Sequence, residues 1–264
     1  MTVVALTIAG SDPSGGAGIQ ADLKTFHQHG AYGMSVITLL TVQNTRGIDA
    51  VEVLDPGWVA AQLDAVLADI PPKAAKTGAI GNAGVIRAIA ERAAGFKFPL
   101  VVDPVMVSKH GAPLLDEVAP TTLRAALLPY AFLVTPNLAE AAMLAGMAVN
   151  DLEAMAKAAV HIAKAGPKNV LIKGGHLEGD AVDVLFTEGR VYRITAPRIQ
   201  SRNTHGTGCV YSAAITARLA RGEDLLSAVR AAKAFVTEAI RTGPGLGSGF
   251  GPTNLHAPLP GTRT

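Results

Sequence analysis

Apolar residues in this chain fall into short unbroken runs, separated by stretches where they recur every three or four positions. Residues 3–9 form the first run and read as a buried strand, followed by a Gly-rich loop and a helix over residues 18–29. Residues 98–102, 132–135 and 170–172 are further runs of the buried-strand type. Each leads into a loop carrying Asp103-Pro104, Pro136-Asn137 or Gly174-Gly175. Helical spacing is predicted over residues 56–69, 81–94, 138–146, 151–165, 209–220 and 224–241. Strands apolar on both faces alternating with helices predict an α/β fold with a mostly parallel sheet and right-handed crossovers.

Two segments break this rhythm. Residues 34–53 carry two β-branched runs split by Gln43-Asn44-Thr45-Arg46-Gly47. Residues 182–194 read as a hairpin turning at Glu188-Gly189, and residues 243–260 are rich in Gly and Pro and predict irregular backbone. No repeat, linker or composition shift divides the chain, so one domain over residues 1–264 is expected.

Composition narrows the classes. Of the 264 residues 49% are hydrophobic, enough for a large core. The 23 Lys and Arg against 21 Asp and Glu are scattered, with no basic block to mark a nucleic-acid or membrane partner. The longest apolar runs fall short of a membrane span, and the opening residues lack the basic start of a signal peptide. Cys209 is the sole cysteine, which excludes an internal disulfide, and a cytoplasmic location is expected.

The strongest chemical signal is Asn203-Thr204-His205-Gly206-Thr207-Gly208-Cys209 ahead of a helix. Glycines around a threonine admit close backbone approach, and a helix start offers free N–H groups and a positive dipole end, a combination suited to a phosphoryl group. A plain Gly loop capping the helix reads the same letters. Cys209, placed in the first turn, is expected to have a thiol pKa lowered by the dipole, so that a thiolate accepts a proton from an attacking hydroxyl. The competing reading is a small buried hydrophobe.

The loop Gly10-Ser11-Asp12-Pro13-Ser14-Gly15-Gly16-Ala17-Gly18 lacks the Lys of a P-loop, and no acidic residue stands about twenty positions on, as a dinucleotide fold needs. What remains is a loop closing on a small molecule, with Asp12 and Asp22 as polar handles, or a tight strand-to-helix turn. Asn137 and Glu140 have the spacing of a capping box, the reading the spacing favours, and the same groups could also order a Mg²⁺ shell, while Asp103 repeats the acidic position just past a strand. Lys173 at a strand end can reach phosphates or simply be solvated. Gln43 and Asn44 are either amides reading a heterocycle edge or a polar turn. Lys109 and His110 give no signal beyond solvated surface, and no histidine has partners at zinc-site spacing.

Taken in order, residues 5–25, Ser35-Val36-Ile37-Thr38, Val42-Gln43-Asn44-Thr45, Thr135-Pro136-Asn137, Leu171-Ile172-Lys173-Gly174-Gly175-His176 and the Gly206-Thr207-Gly208-Cys209 motif resemble the hydroxymethylpyrimidine/phosphomethylpyrimidine kinases of thiamine biosynthesis. The resemblance runs from about residue 5 to residue 254. It implies a ribokinase-like three-layer α/β/α sandwich with a small β lid, using ATP and Mg²⁺, and working as a homodimer. Such enzymes phosphorylate 4-amino-5-hydroxymethyl-2-methylpyrimidine to its monophosphate and then its diphosphate. By position, Gly206, Thr207, Gly208 and Cys209 would be the anion hole and base. Gln43, Asp22, Gly10, Thr41 and Val105 would form the pyrimidine pocket. Lys173, Thr207 and Asn137 would meet ATP, Glu140 and Asp103 would face the metal, and residues 34–53 would include part of the lid and dimer contact. Thr77-Gly78-Ala79 departs from the usual Ile-Gly-Met, which implies a roomier pocket wall and admits pyridoxal as a competing acceptor.

Overall fold

The computed structural model describes residues 2–107, 111, 114–175, 177 and 179–259; the readings at Lys109, His110, His176 and Pro260 lie outside the described residues. A nine-stranded sheet is formed by β1 (Val4–Ser11), β2 (Tyr32–Asn44), β3 (Gly47–Val53), β4 (Ala74–Thr77), β5 (Leu100–Val102), β6 (Leu133–Val134), β7 (Asn169–Ile172), β8 (Ala181–Thr187) and β9 (Arg190–Ala196). Their spatial order is β3-β2-β1-β4-β5-β6-β7-β8-β9. The six strands from β2 to β7 run parallel, and β3 at one edge and β8–β9 at the other run antiparallel. The helices are α1 (Gly18–Gln28), α2 (Pro56–Asp69), α3 (Ala83–Ala93), α4 (Ala119–Thr122), α5 (Leu138–Ala145), α6 (Leu152–Ala163), α7 (Thr207–Ala220) and α8 (Leu225–Arg241).

Side-chain alternation along the central strands divides the core into two layers. Leu6 and Ile8 of β1, Ala75 of β4 and Val134 of β6 pack with Leu63, Ile86, Leu144 and Ile162 of α2, α3, α5 and α6. Their neighbours Ala5, Ala74, Val101, Leu133 and Leu171 point the other way, into a cluster with Phe26, Ala213, Ala217 and Phe235 of α1, α7 and α8. This is the expected three-layer α/β/α arrangement. Small residues on the second face let α7 lie close against the sheet, where nearly every residue from Val210 to Ala220 is buried. A helix apolar all round belongs inside a protein.

Sequence and structure differ at identifiable places. Strand β4 was not predicted, because Ala74-Ala75-Lys76-Thr77 has little β-branched character and carries a lysine. Strand β2 runs on through Asn44, so Gln43 and Asn44 sit on a strand rather than in a turn. Helix α7 begins at Thr207, not residue 209, and residues 119–130 are helical, including a π segment at Leu123–Leu127. The β8–β9 hairpin does turn at Glu188-Gly189, both with positive φ, as a tight turn requires.

Two features fix where a ligand must go. Strand β1 lies between β2 and β4, so the chain winds outward from it in both directions. Open α/β sheets bind ligands beyond the strands' carboxyl ends at such a point. Behind that crevice, Lys76 on β4 and Asp22 on α1 are fully buried with Nζ and Oδ2 2.7 Å apart. Thr7 donates a further bond of 2.7 Å to the same carboxylate oxygen. Burial works against the Lys76 charge, but the Asp22 carboxylate at contact distance, with Asp103 beyond it, outweighs burial and holds the ammonium above its usual pKa. Removing one member of a buried pair strands the other, so Lys76→Ala is expected to lose about 3–5 kcal/mol in urea unfolding. A loss below about 1 kcal/mol, the worth of a surface pair, would show that the pair does not hold the layers together.

Candidate active site

Helices α2, α3, α5, α6 and α8 open on Asp55, Asn82, Asn137, Asp151 and Asp224, whose side chains each accept a backbone N–H. Helices α1 and α7 have no such cap, opening instead on Ala17 and Gly206. These two starts lie on one cavity at the carboxyl ends of the strands. Their free N–H groups and positive dipole ends are therefore directed where a ligand would sit. At Gly206 the conformation is left-handed (φ 74°), and a Cβ there would collide with the carbonyl oxygen of Gly16. Only glycine permits the approach that aims α7 into the crevice.

The cavity holds about 510 Å³ and runs from Gly10, Thr41 and Gln43 past the start of α7 to Arg198, Val236 and Ile240. That volume is typical of small-molecule sites, roughly 300–1,000 Å³. Of the residues singled out in the sequence, Gly10, Thr41, Gln43, Val105, Asp103, Asn137, Glu140, Lys173, Gly206, Thr207, Gly208 and Cys209 all line it. Asp22 does not line it; its carboxylate stands behind the wall, engaged with Lys76 and Thr7. Asp12 folds the first loop by accepting bonds from Ser14 and from the N–H of Ala17.

Charge gathers beneath the start of α7. Lys173 Nζ lies 2.8 Å from Asp103 Oδ1, and Thr135 and Ser212 reach the same carboxylate at 3.2 Å each. Lys173 is driven down by burial, but Asp103 and Glu140 overcome this and keep it charged. Asn137 and Glu140 form the capping box expected from their spacing, with bonds of 2.7 and 3.0 Å. Burial, helped by Asp103 and resisted by Lys173, pushes the Glu140 carboxyl up to about 7. A cation arriving on a nucleotide would favour its ionised form.

Cys209 departs from the expectation of a thiolate. Burial pushes its thiol up to about 12 despite the helix dipole, with Asp22 and Asp103 adding to the effect. The Lys76 ammonium and a backbone hydrogen bond from Gly18 act the other way and are outweighed. At neutral pH the resting group is a thiol.

The sequence reading passed over several residues that bear on the site. Lys76 sat unremarked in an undetected strand. Asp183 on β8 accepts the Gly174 N–H at 2.9 Å and faces Lys233 of α8 at 2.8 Å. The signal was present in each case: one charged residue at an inward position of an apolar run, which stays buried only with a partner.

The sequence matches the phosphomethylpyrimidine kinase family over residues 12–254. The chain belongs to that family. It is 51% identical over 258 residues to the hydroxymethylpyrimidine/phosphomethylpyrimidine kinase of Rhizobium meliloti, covering 97% of each chain. It is 50% identical over 251 residues to the thiamine biosynthesis bifunctional protein ThiED of Geobacter sulfurreducens, with 94% of this chain matched but only 51% of that protein's length spanned. The fold matches a Bacillus subtilis pyridoxal kinase solved with ADP, with a TM-score of 0.91 and 39% identity over 97% of this chain and 98% of that one. This member of the phosphomethylpyrimidine kinase family is thus a kinase of ribokinase-like fold.

In this kinase the Cys209 state has a direct chemical signature. Thiol reagents attack the thiolate. Alkylation of this sole cysteine at pH 8 is expected to run at least about 100-fold slower than that of a free cysteine, rising roughly tenfold per pH unit up to about pH 11. Fast labelling that levels off below about pH 9 would mean that the dipole prevails over burial after all.

Proposed function

We propose that the chain transfers the γ-phosphoryl group of ATP to 4-amino-5-hydroxymethyl-2-methylpyrimidine, and then a second phosphoryl group to the resulting monophosphate. The observation that carries this reading is the meeting, in one cavity, of two uncapped helix starts with Lys173, Asp103 and Glu140. Phosphoryl transfer asks for positioning and charge stabilisation above all, and this arrangement supplies both.

The acceptor sits near Gly10, Thr41, Gln43 and Val105, with its hydroxymethyl group toward Cys209. The ATP phosphates lie along Lys173, Thr207 and Asn137, and the nucleoside extends toward Val236 and Ile240. In the first step the acceptor oxygen bonds to the γ-phosphorus as the bond to the bridging β,γ-oxygen breaks. The amides at the start of α7 stabilise the charge on the phosphoryl oxygens. The hydroxyl proton passes to Cys209, which must itself have shed its proton, and Lys76 is the nearby cation that favours that form. In the second step the attacking oxygen belongs to a phosphate and carries no proton that must leave.

The donors around Glu140 fit a Mg²⁺ that arrives on the nucleotide. Glu140 and Asp103 are two carboxylates facing a phosphate site, and Mg²⁺ keeps much of its water shell while taking one or two carboxylates. Among the described residues there is no cluster of three or more metal ligands, so a dedicated protein cage does not fit. When bound, Mg²⁺ would be held through Glu140 and Asp103 and would offset the charge of the nucleotide phosphates.

We further assign the whole chain to one kinase domain and the working enzyme to a cytoplasmic homodimer. Supporting the dimer, the β2–β3 hairpin turns Leu40 and Val42, 45% and 59% exposed, away from the cavity. No helix among the described residues is long and apolar enough to cross a membrane. Pyridoxal is a second acceptor to consider, since the matched pyridoxal kinase shares the fold closely and Ala79 lines the pocket wall.

Incubation with Mg-ATP and the pyrimidine is expected to give monophosphate and then diphosphate, resolved by chromatography. Cys209→Ala should slow the first step by about 10²-fold, the scale of a general base, and change the second only a few-fold. Equal losses on both steps would contradict the division of roles, and turnover of pyridoxal alone would reassign the acceptor.

A further inference from the structure

Gln43 stands at the acceptor end of the cavity between two groups that each have a hydrogen to give. On one side is Thr41, whose hydroxyl lies 3.1 Å from Gln43 Oε1 and 3.0 Å from the carbonyl oxygen of Ser11. On the other is His205, only 3% exposed, with Nε2 2.8 Å from Asp12 Oδ2 and 3.2 Å from Gln43 Nε2. The backbone of His205 is held by its own N–H bond of 3.0 Å to the Gly251 carbonyl, and the buried ring is anchored by Asp12. Asp12 is equally fixed, since it already accepts from Ser14 and Ala17.

Counting protons decides how Gln43 must face. The Thr41 hydroxyl has a single hydrogen and cannot give it both to Ser11 and to Gln43 Oε1. A His205 nitrogen bonded to the acceptor-only Asp12 carboxylate must carry a hydrogen, and then it faces the amide nitrogen of Gln43, donor against donor. Half a turn of the amide about its last bond removes both conflicts at once. His205 Nε2 then gives its one hydrogen to Asp12 Oδ2 and turns that N–H edge toward the Gln43 oxygen instead of the amide nitrogen, and Thr41 gives its hydrogen to Ser11 while accepting one from the Gln43 amide nitrogen.

We propose that Asp12 and His205 form a relay that fixes the Gln43 amide with its oxygen toward His205, so that one N–H is presented to the acceptor heterocycle. His205 is then a specificity-determining positioning residue and need not touch the substrate. With a donor fixed at this point, the site selects acceptors offering an unshared pair there, as an unprotonated ring nitrogen of an azine does. The inference rests on the reading of Gln43 as a heterocycle contact. It adds which edge of the amide the ligand meets and what holds it there.

The test is calorimetric binding of hydroxymethylpyrimidine to the full chain, with the KM for ATP as a control. Gln43→Glu keeps an acceptor toward His205 but presents only oxygen to the ligand. It is expected to weaken pyrimidine binding at least about tenfold, the worth of one hydrogen bond, with the KM for ATP unchanged. His205→Leu should weaken binding about tenfold in the same selective way, while His205→Gln, which keeps a donor at the same reach, should stay within about threefold of the parent. Parent-like binding by Gln43→Glu would overturn the proposed orientation, and that result stands even if His205→Leu fails to fold. Unchanged binding by a folded His205→Leu, alongside impaired binding by Gln43→Ala, would overturn the relay but leave the contact. Unchanged binding by Gln43→Ala would overturn the contact itself and the relay with it. Binding without any phosphorylation by the parent chain would instead sink the kinase reading, whatever the variants do.

Discussion

Where α7 begins, its backbone passes so close to the first loop that the Gly16 carbonyl occupies the space a side chain at Gly206 would need. A second close approach brings Gly18, also with positive φ, against the Gly10 carbonyl. These two contacts turn the uncapped ends of α1 and α7 toward the same space at the switch point of the sheet. At α2, α3, α5, α6 and α8, Asp and Asn side chains quench the helix starts. Here the quenching is left to the ligand, and the positive ends of two dipoles become an anion site.

Electrostatic bookkeeping around this site follows from its depth. Lys76 is matched by Asp22, Lys173 by Asp103, and Lys233 by Asp183. Lys76 and Lys173 stay charged at this depth because each has a carboxylate at contact distance. The same carboxylates make the neighbourhood hostile to further negative charge. Burial above all, with these carboxylates adding to it, raises the Cys209 thiol to about 12 and Glu140 to about 7. The site thus suits phosphates whose charge an accompanying cation partly offsets, and transfer depends chiefly on orientation and on the amides at the start of α7.

Much of this was legible in the sequence. Gly206-Thr207-Gly208 ahead of a helix points to a close backbone approach, and the Asn137–Glu140 spacing predicts the capping box that forms. The parallel sheet follows from apolar runs that carry no alternation. The state of Cys209 was not legible, because local position supplies only the dipole, whereas the packing that buries it, and Asp22 and Asp103, come from distant parts of the chain. Asp22 itself looked like a ligand handle, since nothing in its neighbourhood shows that Lys76, 54 positions later, claims its carboxylate. Strand β4 escaped for a related reason: its Lys76 breaks the apolar pattern, and only the pairing of the layers explains why a lysine belongs there.

The claim on which the account turns is that the start of α7 holds the phosphoryl group in flight. A crystal structure with the pyrimidine, ADP and aluminium fluoride tests it most directly. The account predicts the fluoride ligands about 3 Å from the amide nitrogens at Gly208 and Cys209, between the acceptor oxygen and the ADP β-phosphate. A metal fluoride bound away from those amides, with the start of α7 facing only solvent, would contradict it.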